Sequence, residues 1–245
     1  HSETSTGVIN DLETITRHVK AHGEALIVVD AVTSLGACSV PVDAWGLDVV
    51  CSGSQKGYMI PPGLGFVAMG ERAWAAQKQS DLPKFYLDLE RYRKAAAGNS
   101  NPFTPPVNLY FALEAALDLM QDEGLEAIFA RHDRHRRASQ AAMRALGLPL
   151  FAADGYGSPA ITAVAPAGLD AEALRKAVKG RYDILLAGGQ DHLKGKVFRI
   201  GHLGFVCDRD VLTAVAAIEG ALADLGAASA QPGAGVAAAA AVLQG

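Results

Sequence analysis

The chain has no disulfide framework, no apolar run of membrane-spanning length and no excess of positive charge. Its three cysteines, Cys38, Cys51 and Cys207, are odd in number, far apart and without a C-x-x-C pair. That pattern points to a reducing compartment, and the expected location is cytoplasmic. No stretch reaches the roughly 18 to 20 apolar residues of a membrane span, and the first residues lack the charged, apolar and small-residue order of a signal peptide. With 22 basic and 26 acidic side chains and a net charge of -4, the chain carries no electrostatic footprint for nucleic acid. A metal motif is missing as well. His18 and His22 stand four apart on an expected helix, but no H-E-x-x-H and no third ligand accompanies them, so they read as a solvated face and no metal is expected. The basic run "RHDRHRR" at 131–137 likewise reads as charge spread around a solvated helix. No internal repeat is visible.

What is present is a globular composition. Half of the 245 residues are hydrophobic and a fifth are charged, enough for one large domain or two small ones with a sizeable core. Small molecules or protein chains are the expected partners. Residues 11–22 space Leu12, Ile15 and Val19 as a helix that stops at His22-Gly23. "ALIVVDAV" is an unbroken apolar run ending at Asp30, which fits a strand buried on both faces of a parallel sheet. "LDVVCSG" and "GLGFVAM" repeat the pattern at 47–53 and 63–69. Residues 77–106 read as irregular, because Asn-Pro and Pro-Pro pairs interrupt them. Two helices follow, over 107–123 and 125–146. Beyond them, short strands at 148–152, 159–165, 184–186 and 196–201, a helix over 170–180 and another over 208–226 suggest a small α+β domain. The expected division is therefore 1–123, 124–227 and a low-complexity tail, 228–245, with too few large apolar side chains to anchor itself.

Three residues invite chemistry. Asp30 ends an apolar strand, at the carboxyl edge where open parallel sheets bind ligands; it is equally a natural turn or cap residue. Lys56 follows the next strand by a few residues and would face the same crevice. A lysine there is either an exposed loop residue or an amine made nucleophilic by desolvation. Arg199, in "GKVFRIG", is placed for a bidentate grip on a carboxylate or for an ordinary salt bridge.

Taken with "HSETSTG", "VDAVTSLG", "SGSQKGYMIPPGLGF", "FYLDL", "NPFTPPV" and "QDEGLEAIFARH", these residues make the chain resemble the class V, fold type I, pyridoxal phosphate (PLP) aminotransferases. The alanine/serine-glyoxylate group is the nearest within that family, and cyanobacterial chains labelled as a soluble hydrogenase small subunit fall in it. The likeness runs to about residue 226, and "SGSQK" followed by "PPG" is its most specific part. It implies an α/β fold: the mainly parallel sheet of the PLP-dependent transferase large domain, incomplete here, followed by a small α+β carboxy-terminal domain. It further implies that Lys56 binds the cofactor's aldehyde and shuttles the substrate proton, and that Asp30 keeps the ring nitrogen protonated. Val32 would pack on the ring, Thr4 near its phenolic oxygen and Gln55 at the phosphate. Thr104 would reach the phosphate of the other subunit of a homodimer, and Arg199 would grip the carboxylate of a small amino acid or 2-oxo acid. The chain departs from the animal enzymes at Asn101, where they place a tyrosine. Since His1 is not a start methionine and "HSETSTGVIND" reads like the end of a strand entering a loop, the amino-terminal part of the family pattern is expected to be missing. Weak cofactor binding and little turnover are expected of such a piece. Cysteine desulfurases share the fold class, but none of the three cysteines sits in a flexible glycine-rich loop.

Overall fold

Asp11 starts the first helix. Its carboxylate accepts the Thr14 N–H at 3.0 Å, and α1 (Leu12–Ala21) buries Leu12 and Thr16, as an N-cap followed by helical apolar spacing requires. The computed structural model describes all residues, His1–Gly245. Ahead of α1, β1 (Ser2–Glu3) and β2 (Val8–Ile9) form a small antiparallel pair.

The main sheet has the order β3-β4-β5. β3 (Val28–Asp30) runs parallel to β4 (Val49–Gly53), with α2 (Val42–Trp45) between them in sequence. β5 (Gly65–Met69) pairs antiparallel with β4. The connection 54–64 carries no helix, and a parallel return needs a crossover of about a dozen residues or more, so β5 doubles back. Buried Asp48 fixes the start of this sheet by accepting the Ile27 N–H at 2.8 Å, with Arg72 Nη1 at 3.5 Å. Val29 and Val50 pack with Leu12, Ile27, Ala31 and Leu47. The other face is open: Val28 is 65% exposed and Val67 46%. The expectation that β3 is covered on both sides therefore fails within this chain, because α1 and α2 supply one face only.

The segment 77–106 is less irregular than its prolines suggest. α3 (Glu71–Gln79) runs into it, and α4 (Leu89–Ala97) forms where Asp88 accepts the Glu90 N–H and Gln77 Nε2, both at 3.2 Å. Residues 80–88 and 98–106 are without a regular element, and Phe103 packs on Tyr86 between these two stretches at 4.8 Å between ring centroids. α5 (Val107–Glu123) and α6 (Leu125–Ala145) follow, parted at Gly124, whose φ of 83° ends the first helix.

The carboxy-terminal unit holds a second sheet, β6-β8-β7, antiparallel throughout: β6 (Ile161–Val164), β7 (Ala187–Gly188) and β8 (Phe198–Gly201). The expected strand at 184–186 lies instead at 187–188, and 148–152 contributes a single bridge, Leu150 to Val164. α7 (Ala171–Tyr182) and α8 (Asp208–Asp224) cover this sheet, and Phe198, Leu174, Met143, Val215 and Ile218 form its core.

The Ala-rich end is not an unanchored tail. α9 (Ala234–Gln244) begins where Glu219 accepts the Gly233 N–H, and Ser229 donates to Leu146 O at 3.1 Å. Ala239 is fully buried in the core that contains Ala138 and Ala142 of α6. A side chain on Gly235 would stand 2.9 Å from Leu146. Small residues anchor this helix by close approach, which a count of large apolar side chains overlooks. Ala239→Leu is expected to overfill the contact and destabilise the chain by about 1–3 kcal/mol. A urea unfolding free energy changed by less than about 0.5 kcal/mol would place residue 239 on a free surface instead.

Candidate active site

Past Gly53 the chain turns sharply, and Ser54 holds the turn together. Its buried hydroxyl donates to Pro61 O at 2.8 Å and accepts the Leu64 N–H at 3.2 Å, while its own N–H reaches Leu64 O at 3.1 Å. Lys56, half-buried, sits inside this loop, and its carbonyl accepts the Met59 N–H at 3.0 Å. Gly57 then meets the turn that follows β3. A side chain on Gly57 would collide with Leu35 O and approach Gly36 Cα to 2.9 Å. Two backbones thus touch where no Cβ fits.

That contact packs the lysine turn against the turn that follows β3. Asp30 is the last residue of β3, and its Oδ1 accepts the Val32 N–H at 2.9 Å. The Ala31 N–H continues the ladder to Cys51 O at 2.9 Å. A Cβ on Gly53 would stand 3.1 Å from Gln55 Oε1 and 3.8 Å from Val32 Cγ1. Asp30, Val32, Gln55 and Lys56 therefore gather at the carboxyl edge of the parallel pair.

A second cluster joins Arg199 to Thr4. Arg199 is 8% exposed on β8. Its Nε donates to Gly188 O at 2.8 Å, and its Nη1 to Thr4 O at 2.8 Å and Thr4 Oγ1 at 3.3 Å. Burial, followed by the nearby Arg175 cation, pulls its pKa below the ordinary guanidinium value, and Glu3 opposes them. The Ser5 hydroxyl and then the Ser5 N–H hold the Glu3 carboxyl low. Gly7 packs on Ala163 of β6, and the His1 nitrogen donates to Asp30 O at 2.9 Å. The first ten residues thereby connect the Arg199 strand with the Asp30 edge. Thr104 is exposed and lies elsewhere, on a cavity of about 430 Å³ lined by Gly63, Leu64, Phe103 and Tyr110. A cavity of about 690 Å³ between Leu35, Tyr58, Met120 and Phe129 includes none of the seven expected residues.

The "RHDRHRR" run is not a solvated face. His132 and His135 are buried, and Arg131 forks between Glu123 (2.6 and 2.9 Å) and the carbonyls of Gly204 (2.8 Å) and Val206 (3.2 Å). The signal was present in the spacing: Ile128, His132, His135, Ser139 and Ala142 recur every three or four residues along one stripe of α6. His18 and His22 are exposed, with His22 Nδ1 at 2.7 Å from His18 O, and no cluster of metal-binding groups exists in the structure.

Comparison with known proteins decides the family. The profile described as "Aminotransferase class-V" matches residues 1–201. The chain belongs to the class-V aminotransferase family. A Synechococcus protein named "Soluble hydrogenase, small subunit" is 70% identical over 99% of this aminotransferase chain, which spans 63% of that protein. The serine–glyoxylate aminotransferase of Methylorubrum extorquens is 38% identical over the whole chain, which spans 62% of it. The crystal structure of pyridoxamine-pyruvate aminotransferase from Mesorhizobium loti superposes with a TM-score of 0.94 at 36% identity, covering all of this chain and 63% of that one. This class-V chain thus spans somewhat under two thirds of the relatives it matches.

Membership of the class implies pyridoxal phosphate, and the residues fit it. One edge of the sheet offers an amine, a carboxylate, an amide and a small apolar side chain, which suit the aldehyde, ring nitrogen, phosphate and ring face of that cofactor. The cysteines fit less well with sulfur chemistry. Burial pushes the Cys38 thiol up to about 11, Cys51 lies within β4, and Cys207 precedes α8 with its N–H on Asp210 Oδ2 at 2.9 Å.

Gly57→Ala is expected to cost about 1–3 kcal/mol, because the new methyl group meets backbone on both sides. A variant as stable as the parent would show that the two turns do not touch. Acid should destabilise the chain earlier than its carboxylates alone would. Burial depresses His132 to about 4 and His202 to about 3, against about 6.5 when unfolded. The unfolded chain then binds these protons first, so stability is complete above about pH 6.5 and falls as pH drops toward 4 and below. A urea midpoint that stays flat between about pH 6.5 and 5 would contradict those burials.

Proposed function

We propose that this chain is the lysine-bearing, carboxy-terminal part of a PLP-dependent enzyme that moves an amino group from serine or alanine to glyoxylate or pyruvate in a ping-pong cycle. It acts as a cytoplasmic homodimer, and the piece itself binds cofactor weakly and turns over little. The observation that carries the reading is the gathering of Asp30, Val32, Gln55 and Lys56 at one sheet edge by the Gly36–Gly57 contact, in a chain of this family. The likeness to the serine–glyoxylate aminotransferase of Methylorubrum extorquens supports the substrate class.

The bound cofactor would supply the electron sink for a substrate carbanion. Asp30, placed at the end of β3 with Oδ1 on the Val32 N–H, holds the proton on the ring nitrogen. Lys56 would hold the cofactor through its aldehyde, and Nζ, freed when the substrate amine takes its place there, would carry the proton of the substrate α-carbon to the cofactor. Gln55 binds the phosphate, and Val32 backs the ring. Arg199 has Nε and Nη1 engaged by Gly188 and Thr4, which leaves Nη2 as the nitrogen for the α-carboxylate. Thr4 Oγ1 accepts from Arg199 Nη1 at 3.3 Å, and its own hydroxyl proton would be available to the phenolic oxygen. Thr104 serves the phosphate of the other subunit. The exposure of Leu87, Phe85 and Phe111 at 79%, 62% and 66% supports an apolar subunit contact near it.

In the complete enzyme Lys56→Ala should abolish transamination, and intact activity would end the assignment. Arg199→Ala should chiefly raise the apparent KM, by the equivalent of about 2 to 3 kcal/mol. An unchanged KM would remove Arg199 from carboxylate binding. The name of the Synechococcus relative favours a second reading, a noncatalytic subunit on the same fold. Co-purification with a redox-metal subunit, without any amino-acid-dependent spectral change, would select it.

A further inference from the structure

The loop after β8 passes directly over the lysine turn, and a histidine of α6 holds it there. Gly204 has φ 78°, and a Cβ on it would stand 3.4 Å from Lys56 O and 3.2 Å from Met59 Cγ. A side chain at position 204 would thus touch the carbonyl of Lys56, and only because the residue is glycine does its peptide pass this close to the lysine turn without one. Both polar groups of Gly204 are gripped from α6: His132 Nε2 lies 3.0 Å from its N–H, and Arg131 Nη1 donates to its oxygen at 2.8 Å.

The protonation state of His132 follows from its partners alone. Nδ1 faces Ile128 O at 2.8 Å. A carbonyl only accepts and an amide N–H only donates, so Nδ1 carries the proton and Nε2 is the acceptor. The groups facing the ring agree with a neutral imidazole: Arg131 and His135 oppose a positive charge there, while Glu123, which favours one, is already paired with Arg131. We infer that neutral His132 is a positioning residue, which through the Gly204 peptide locks the carboxy-terminal unit onto the Lys56 turn and so fixes where the lysine side chain begins. The inference rests on the reading of Lys56 given above for its functional meaning, and on backbone contacts for its geometry.

The contact is testable in the chain itself. A nitrogen–nitrogen coupling across the hydrogen bond between the Gly204 amide and His132 Nε2 should appear in the NMR spectrum, with Nδ1 protonated. An Nε2-protonated ring would overturn the inference. Amide hydrogen exchange, read by mass spectrometry in peptides spanning 54–60 and 202–206, tests the mechanical link. His132→Asn, which loses the acceptor at the Nε2 position, should speed exchange in both peptides on the order of tenfold or more, as loss of one buried hydrogen bond would. His132→Gln, which restores an acceptor there, should return both toward the parent values. Faster exchange confined to 202–206 would show that the Lys56 turn is held by other contacts, and the inference would fall. Should the asparagine variant not fold, Arg131→Lys removes the carbonyl half of the grip and is judged in the same two peptides. Borohydride fixation of PLP on Lys56 in the parent chain tests the cofactor reading separately. A failure there leaves the exchange result standing.

Discussion

The meeting of Gly36 and Gly57 is the constraint on which the candidate site depends. Neither the turn after β3 nor the turn after β4 has side chains at that point, so the two can lie backbone on backbone. Any other residue at position 57 would need to push Leu35 O aside. With the turns in contact, a carboxylate that ends one strand and a lysine that follows the next share one edge of the sheet, although 26 positions separate them in sequence. Ser54 secures the same loop from within by bonding both Pro61 and Leu64. Position is then set by backbone contacts, which do not fluctuate as side chains do.

The amino-terminal hairpin supplies the second constraint. It closes against the carboxy-terminal sheet through Gly7 and Ala163, and it takes the Arg199 guanidinium onto Thr4. The Nε and Nη1 bonds of Arg199 orient the planar group. In the proposed role of Arg199 a carboxylate would meet a preorganised nitrogen and less rotamer freedom would be lost on binding.

Much of this was legible in the sequence because it depends on local pattern. The apolar runs ending at Asp30 and Gly53 marked β3 and β4, helical spacing marked α1, α5, α6 and α8, and the order of Asp30, Lys56 and Arg199 carried the family resemblance. What escaped depended on tertiary neighbours. α9 packs through alanines, whose burial depends on how closely α6 can approach. α4 rests on the cap at Asp88, within a stretch whose prolines drew attention to its end. His132 looked solvated because its charged neighbours dominate the run, whereas its burial follows from the stripe it shares with Ile128 and Ser139. Thr104 shares a cavity with Gly63 and Leu64 rather than with Lys56, which pattern alone does not reveal.

The open side of the main sheet has a colloidal consequence. β3 stands at one edge of the three-stranded sheet, and its Val28, on the open face, is 65% exposed. An unpaired edge is a template for another strand, and here it is blunted by brevity, since β3 has three residues, by the charge of Asp30 at its end and by the His1 nitrogen on Asp30 O. A net charge of -4 over 245 residues adds only weak repulsion between copies. Resistance of this chain to edge-to-edge association therefore rests on the length and the last residue of one strand.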